Sequence, residues 1–383
     1  MQLYMFYNCI LALFAACGAT ILSSCSGNNI DSPNMVLSSS WQGYGEAVAD
    51  TTLFSKCQEI HLEMKEGYVV QKVDKVLRAD DRLFLCDFDN KQILIFGLDG
   101  KAVGKIDRQG HGSGEYIKTF DATYDAYSKK IMVLVDPKAV MHFDIDGNYL
   151  KTEDADDYYS NVSADKSYVY LYNPTYANAI EPDYTITAIS KKTNQRHEIL
   201  SFGKEYAPFC KMSNKMSNMK DFTLFTRKLD DNIYCLQNGK LVKQYSIDFG
   251  EMKFPSNKID KQYGCVDIYV LCSKNKWVYT IYDVVSTRGK LLFSTNLLGV
   301  GVFDTKNKST NYYKYLLVTH YGTLSYNLKY TLVEGTTPGI CIVEYPQDLV
   351  AIRKSQEILL NKTTISDENT TPNGNPTLLL YSN

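Results

Sequence analysis

The sequence predicts an all-β protein: a six-bladed β-propeller with a short C-terminal helix before its closing strand. Three observations support this prediction: an internal repeat of 47 to 49 residues, further strand patterns at comparable intervals, and an apolar strand at the C-terminus. A repeat of this length, made of short strands and tight turns, is typical of a propeller blade. We therefore assign residues 51–383 to one propeller domain.

Each copy of the repeat contains an apolar strand that ends in Asp, a short polar link, a second apolar strand and an Asp-Gly turn. Asp87 and Asp136 are 49 positions apart, whereas Phe96 and Phe143 are 47 apart, so the second copy is two residues shorter between its strands. The two copies comprise residues 81–87, 93–96 and 99–101, then 130–136, 140–143 and 146–148.

Later segments repeat this pattern less regularly. Further strand-like runs occur in residues 166–172, 184–189, 229–236, 277–304 and 314–345. From residue 55 onward there is room for six or seven blades at ~48 to 55 residues each. The number of strand sets favours six.

The C-terminus combines a helix pattern with a final strand. Residues 346–360 begin at Pro346 and carry apolar residues at helical spacing, which predicts an amphipathic helix. Residues 376–381 are apolar and strand-like. We expect this last strand to pair with the strands near residues 52–63 and to close the ring, because unpaired sheet edges invite aggregation.

The N-terminus predicts export and lipid attachment. Residues 9–22 are almost all apolar or small, a run that suits a signal peptide and is short for a membrane span. Leu22-Ser-Ser-Cys25 is similar to a bacterial lipobox, so residues 1–24 are predicted to be a lipoprotein signal peptide and Cys25 the lipid attachment site. Residues 25–50, rich in Ser, Asn and Gly, are predicted to be a flexible tether. The leader lacks Lys and Arg before Cys9, and an ordinary cleaved secretory peptide or a buried apolar N-terminus remains an alternative.

Composition excludes several classes of function. The chain has 41 basic and 43 acidic residues with no long block of one sign, which gives no electrostatic footprint for nucleic acid. Seven cysteines follow Cys25 at unrelated spacings, and the absence of a C-x-x-C motif argues against zinc and thioredoxin-like sites. One disulfide stays possible.

The most distinctive motif is Gly110-His-Gly-Ser-Gly-Glu-Tyr116, between the two repeats. Its glycine spacing matches neither a dinucleotide fingerprint nor a Walker loop. We interpret it as an inter-blade loop anchored by Glu115 and Tyr116, in which glycines such as Gly112 take positive φ. The candidate residues for a ligand-facing surface on this loop are Arg108, His111, Glu115 and Tyr116.

Asp87 and Asp136 occupy equivalent positions at the ends of apolar strands. They are expected to accept hydrogen bonds from backbone amides of the following turn. The alternative is a ring of carboxylates that binds a metal in the central channel. Equivalent positions later in the chain, Asn173 and Gln237, are not acidic, and the five histidines are scattered, so no metal site is assigned.

Residues 73–150 and the C-terminal ending resemble the NHL-like six-bladed β-propeller lipoproteins of Bacteroides and relatives. The resemblance depends on Asp80-Asp81, the Leu-Phe-Leu-Cys-Asp87 strand, Asp99-Gly-Lys101 and the glycine motif, where Ser113 replaces the proline typical of the family. It implies the propeller fold and a lipid-anchored location in the cell envelope, with the outer membrane favoured and the leaflet left open. The family has no common activity, so no mechanism is implied.

The predicted function is a non-catalytic binding or interaction module for a protein, peptide or glycan, attached to a membrane by lipid and without a cofactor. The alternative is a metal-dependent hydrolase of the lactonase or esterase type, with a calcium site in the central channel. A purely structural envelope component is a third possibility.

Overall fold

The computed structural model describes residues 33–173, 184–201, 215–255, 264–318, 330–346 and 374–383. These residues form 26 strands and little helix, which confirms the all-β prediction. The first elements are β1 (Met35–Ser38), β2 (Ser40–Ala49), a one-turn helix α1 (Asp50–Leu53) and β3 (Lys56–His61).

Two four-stranded antiparallel units correspond to the two copies of the repeat. Unit I contains β4 (Lys75–Ala79), β5 (Arg82–Asp87), β6 (Gln92–Gly97) and β7 (Ala102–Ile106). Unit II contains β8 (Lys118–Asp125), β9 (Lys130–Asp136), β10 (Ala139–Phe143) and β11 (Tyr149–Asp154). The predicted Asp-Gly turns join the last two strands of each unit, where Gly100 and Gly147 have φ of 82° and 85°.

Three further units follow along the chain. Unit III contains β12 (Asn161–Ala164), β13 (Tyr168–Tyr172), β14 (Tyr184–Ser190) and β15 (Arg196–Ser201). Unit IV contains β16 (Met216–Asn218), β17 (Thr223–Thr226), β18 (Asn232–Gln237) and β19 (Lys240–Ser246). A 3₁₀ turn (Gly250–Met252) and helix α2 (Cys265–Asn275) precede unit V, which contains β20 (Ile281–Thr287), β21 (Lys290–Thr295), β22 (Val300–Asp304) and β23 (Ser309–Leu317).

Unit VI joins the two ends of the chain. It consists of β24 (Tyr330–Gly335), β25 (Gly339–Glu344) and β26 (Thr377–Ser382), with β3 as its outermost strand. Strand β26 pairs with β25 on one side and with β3 on the other, from Thr377–His61 to Ser382–Lys56. The predicted partner of the last strand is therefore confirmed. The predicted helix over residues 346–360 lies outside the described residues beyond Pro346.

An N-terminal belt, which we define as β1 to β3, runs along the outer edges of three units. Strand β1 is parallel to β19, and β2 is parallel to β23 from Ser40–Ser309 to Ala49–Leu317. The prediction of a flexible tether over residues 25–50 is therefore wrong from Met35 onward, because the backbone there is bonded into two sheets. The glycines that suggested flexibility have structural roles: Gly43 lies at a bulge with φ of 117°, and Gly45 packs beneath the Tyr313 ring.

The first strands of the units meet at the centre of the molecule and point the same way. Strand β24 is parallel to β4. Asn218, at the end of β16, donates hydrogen bonds to Tyr124 O near the end of β8 and to Ala164 O at the end of β12, at 3.4 and 3.0 Å. Connections that enter these innermost strands therefore lie on one side, which we call the entry side.

The described connections between units, which lie on the entry side, are longer than the described turns within units. On the entry side, 13 residues separate β3 from β4 and 11 separate β7 from β8. On the opposite side, the described connections between strands have only two to five residues. Longer loops on a rigid scaffold are the usual carriers of binding residues, so the entry side is the functional candidate.

Apolar side chains fill the space between neighbouring units. One core cluster joins units I and II around Phe84, Tyr124 and Phe143, and a larger cluster spans units IV to VI. Cys86, Cys235 and Cys341 are buried free thiols within strands, as their apolar surroundings predicted. Among the described residues, no helix is both long and apolar enough to cross a membrane.

Closure by β26 gives a stability prediction. Leu379 is fully buried between β25 and β3, so Leu379→Ala should lower the free energy of unfolding by about 2–5 kcal/mol in urea titrations. Leu150→Ala, at a half-exposed position of β11, is the matched control and should change it by less than about 1 kcal/mol. Equal effects of the two substitutions would contradict the structural importance of the closing strand.

Candidate functional site

A buried ion cluster occupies the point where the innermost strands of units I, II and VI meet. The ammonium of Lys75, the first residue of β4, lies 2.6 Å from Asp121 Oδ1 and 3.2 Å from Glu334 Oε1. All three side chains are essentially inaccessible to solvent. Two carboxylates from different units therefore share one cation at the centre of the fold.

Hydrogen bonds extend this cluster to the neighbouring units. Asp121 Oδ2 accepts from the backbone N–H of Val162 at 3.0 Å and from Asn161 Nδ2 at 3.1 Å, both in unit III. Glu334 Oε2 accepts from the Thr123 hydroxyl at 3.1 Å, and Thr123 in turn accepts from Asn218 Nδ2 at 3.0 Å. The network thus connects innermost strands of five units.

Burial and charge act against each other in this cluster. Burial alone would lower the pKa of Lys75, but the charges of Asp121 and Glu334 outweigh it and raise that pKa above its ordinary value. Burial raises the pKa of Glu334; Lys75 opposes this shift, and the charge of Asp121 adds to it. Glu334 therefore takes up a proton more readily than an ordinary glutamate does.

Lys215, just before β16, occupies the comparable place in unit IV. Its ammonium group donates to Thr280 Oγ1 at 2.6 Å and to Ile281 O at 3.3 Å, and it lies 5.9 Å from the Tyr282 ring centroid. Like Lys75, it is buried and reaches from the start of one innermost strand to the next unit. Its nearest partners are a hydroxyl, a carbonyl and an aromatic ring, whereas Lys75 lies between two carboxylates.

The electrostatics of Lys215 follow from this difference. Burial, with a smaller contribution from the charge of Lys228, lowers the pKa of Lys215 to about 7, and Asp283 opposes the shift only weakly. The two central lysines are therefore displaced in opposite directions from their ordinary pKa. The pKa of Lys215 lies close to neutral pH, whereas Lys75 stays charged at that pH.

The glycine loop ties units I and II together on the entry side. Tyr116 is fully buried and its hydroxyl donates to Lys91 O at 2.7 Å, while Glu115 Oε2 accepts the N–H of Gly112 at 2.8 Å. Arg108 Nε donates to Gly114 O at 2.6 Å, and its guanidinium group lies 5.1 Å from the centroid of the Tyr149 ring in unit II. The predicted anchoring roles of Glu115 and Tyr116 are confirmed by these contacts.

Two expectations about this loop are wrong. Gly112 does not take positive φ; Gly114 does, at 73°, whereas a Cβ on Gly110 would lie 1.9 Å from Glu115 Oε2, so Gly110 leaves space for that carboxylate. Tyr116 is buried, so it holds the loop and does not face a ligand. His111 and Glu115 are exposed and Arg108 is half-buried, so these three remain on the accessible surface.

The repeated aspartates do not converge on the centre. Asp87 accepts from the backbone N–H of Asn90 at 3.0 Å and from its side chain at 2.7 Å, which is the turn-bonding role expected of it. Asp87 and Asp136 end the second strand of their units, away from the innermost strands. Within the described ranges there is no group of three or more His, Cys, Asp or Glu side chains that could hold a metal ion.

Sequence reasoning missed Asp121 and Glu334. Asp121 lies in β8, which also contains Asp125, and Glu334 is the one carboxylate of β24, more than two hundred residues later. The available signal was local: an acidic residue at a buried strand position requires a cationic or hydrogen-bonding partner. Nothing in the sequence identified Lys75 as that partner.

Removing the central cation tests the ion cluster. Lys75→Met leaves two buried carboxylates without their cation and should lower the free energy of unfolding by about 3–5 kcal/mol in urea titrations at pH 7.5. Adding Asp121→Asn should recover part of the loss, because it removes one of the two uncompensated charges. A loss below about 1 kcal/mol for Lys75→Met would contradict the cluster.

The pKa of Lys215 predicts a specific pH dependence. The folded-state pKa of Lys215, about 7, lies below the ordinary 10.5. Between these two values the unfolded state binds a proton that the folded state does not, so the free energy of unfolding is highest above pH 10.5 and falls as pH falls toward 7. Between these limits the slope is at most about 1.4 kcal/mol per pH unit. Lys215→Met should reduce the difference in unfolding free energy between pH 7 and pH 9, whereas Lys101→Met, at an exposed position, should leave it unchanged. An unaltered difference in Lys215→Met would show that Lys215 does not titrate in this range.

Comparison with known proteins agrees with the fold. No curated protein matches the sequence. The structure is similar to that of a candidate exported protein of Bacteroides fragilis, with a TM-score of 0.68 and 17% identity, over 89% of this chain and 99% of that one.

Two further solved structures are less similar. A member of the DUF4221 family from Bacteroides vulgatus has a TM-score of 0.48 and 12% identity, over 86% of this chain and 96% of that one. BamB from Moraxella catarrhalis has a TM-score of 0.39 and 8% identity, over 65% of this chain and 66% of that one. Structural similarities this weak support no inference about function.

A family model matches most of the chain. The model of a domain of unknown function, DUF4934, matches residues 45–382, which include part of β2 and all six units. The chain therefore belongs to the DUF4934 family.

Proposed function

We propose that this protein is an exported, lipid-anchored six-bladed β-propeller of the NHL-like type that binds a protein, peptide or glycan without transforming it. The six four-stranded units support six blades, and the pairing of β26 with β3 supports closure of the ring. The lipobox-like sequence at Leu22–Cys25 supports attachment through Cys25 to a membrane of the cell envelope.

The observation that favours a binding role over metal-dependent hydrolysis is the ion cluster. In a propeller hydrolase of the lactonase type, oxygen ligands from several blades would hold a calcium ion in the central channel. Here Asp121 and Glu334 do converge, but the Lys75 ammonium lies between them and supplies the positive charge. A divalent cation would have to displace this buried lysine, so the residues at the centre do not fit a resident metal.

The entry side is then the binding surface. Its connections between units I, II, III and VI are longer than the turns of the opposite side, and the glycine loop presents His111 and Glu115 to solvent on a backbone fixed by buried Tyr116. An exposed loop on a rigid support can recognise a partner without large ordering entropy. Binding at this side leaves the central cluster intact as a structural element.

Partner capture by the mature chain tests this proposal. The unlipidated Ser26–Asn383 chain is immobilised and exposed to an envelope extract of the source bacterium. His111→Glu, on the entry side, should reduce capture of the specific partner. Lys166→Glu, an exposed change in a short turn of the opposite side, should leave it unchanged.

Two outcomes would contradict the proposal. Equal effects of His111→Glu and Lys166→Glu would remove the entry side as the binding surface. Hydrolysis of lactone or ester substrates that is abolished by a calcium chelator would instead establish the hydrolase alternative.

A further inference from the structure

Helix α2 has apolar side chains on both of its faces. Ile268 and Cys272 are buried against the protein, in a small cluster with Phe254 and Tyr279. On the opposite face, Val266, Tyr269 and Val270 are 72%, 54% and 57% exposed. Their i, i+3 and i+4 spacing places these three side chains next to one another.

A further exposed leucine belongs to the same region. Leu298 is 70% exposed in the connection between β21 and β22. Asn296 in this connection donates to Trp277 O and accepts from the Tyr279 N–H, both at 2.8 Å, which fixes it to the segment that follows α2. We call Val266, Tyr269, Val270 and Leu298 the outer α2 patch.

The N-terminal belt passes beside the connection that contains α2 and lies within a short length of chain from the predicted anchor at Cys25. Only nine residues, 26–34, separate Cys25 from Met35, and the ten intervening Cα–Cα steps span at most about 35 Å. Strand β1 lies on β19, the last strand before the connection that contains α2, and runs toward that connection, with Met35 beside Lys243 and Ser38 beside Ser246. The N–H of Trp41 donates to Asp248 in that connection, at 3.1 Å.

We propose that the outer α2 patch rests on the surface of the lipid bilayer that holds Cys25, an inference that depends on the lipid anchoring in the proposed function. Exposed apolar side chains on one face of a helix that also carries lysines are typical of helices that lie in the membrane interface. Lys274 and Lys276, exposed at the end of α2, add attraction to anionic headgroups.

This orientation leaves the glycine loop accessible. In a ring of six units, the connection between units I and II is opposite the connection between units IV and V. Contact through the outer α2 patch therefore tilts the ring so that His111 and Glu115 lie at the edge away from the bilayer. The membrane and a soluble partner can then bind at the same time.

Vesicle flotation tests the patch without the anchor. The unlipidated Ser26–Asn383 chain, which contains all the described residues, is mixed with phosphatidylethanolamine–phosphatidylglycerol vesicles. The unmodified chain should float with the vesicles, and Val270→Glu should weaken its partition by about tenfold or more, because a buried aliphatic side chain contributes at least that factor. Val103→Glu introduces the same change at a 42% exposed position of unit I and should partition as the unmodified chain does.

Several results would overturn this inference. Failure of the unmodified chain to float, or equal flotation of Val270→Glu and Val103→Glu, would exclude membrane contact by the patch. A dimer in solution that Val270→Glu dissociates would assign the patch to contact with a second copy. Fatty-acid labelling of the full chain, with Cys25→Ala as the control, is a separate readout: lost anchoring contradicts the proposed location, whereas lost flotation contradicts only the patch.

Discussion

Pairing between β26 and β3 brings together the two ends of the chain, and the arrangement of the other units depends on it. Unit VI has only three strands from the C-terminal part of the chain, and β3 supplies the fourth. Without β3, the outer edge of β26 would expose unpaired backbone groups and the buried Leu378 and Leu380. Because each unit packs on its neighbours through apolar side chains, opening one unit would expose the faces of two others.

The contacts at the centre of the molecule differ in chemical type from the contacts between neighbouring units. Between the units, contacts are apolar, whereas the innermost strands meet through charged and hydrogen-bonded side chains. Buried ion pairs add little net stability over apolar packing, but a cluster that requires specific partners disfavours other arrangements of the strands. Lys75 meets this requirement with two carboxylates, whereas Lys215 meets it with a hydroxyl and a carbonyl. Burial lowers the pKa of Lys215.

Most of the strand architecture could be predicted from sequence because its signals are local. Alternating apolar residues and Asp-Gly turns define units I and II, and the apolar run at 376–381 identifies the closing strand. The N-terminal belt was missed because its partners are more than two hundred residues away and its Ser- and Gly-rich composition resembles a linker. The ion cluster was missed because Lys75, Asp121 and Glu334 do not occupy equivalent positions in the repeat, so comparison of its copies emphasised Asp87 and Asp136 instead.

The N-terminal belt also determines the order in which the fold can be completed. Synthesis of the chain begins at its N-terminus, so β1, β2 and β3 are available long before β19, β23 and β26, the strands with which they pair. Units I to III draw on no strand of the belt and can form as they emerge, but units IV to VI acquire their outermost strands only when the early segment meets the late ones. Such distant contacts form slowly, because the intervening chain must first be ordered. Until then the strands of the belt remain unpaired, which makes the interval before the last strand is synthesised the period of greatest risk of aggregation.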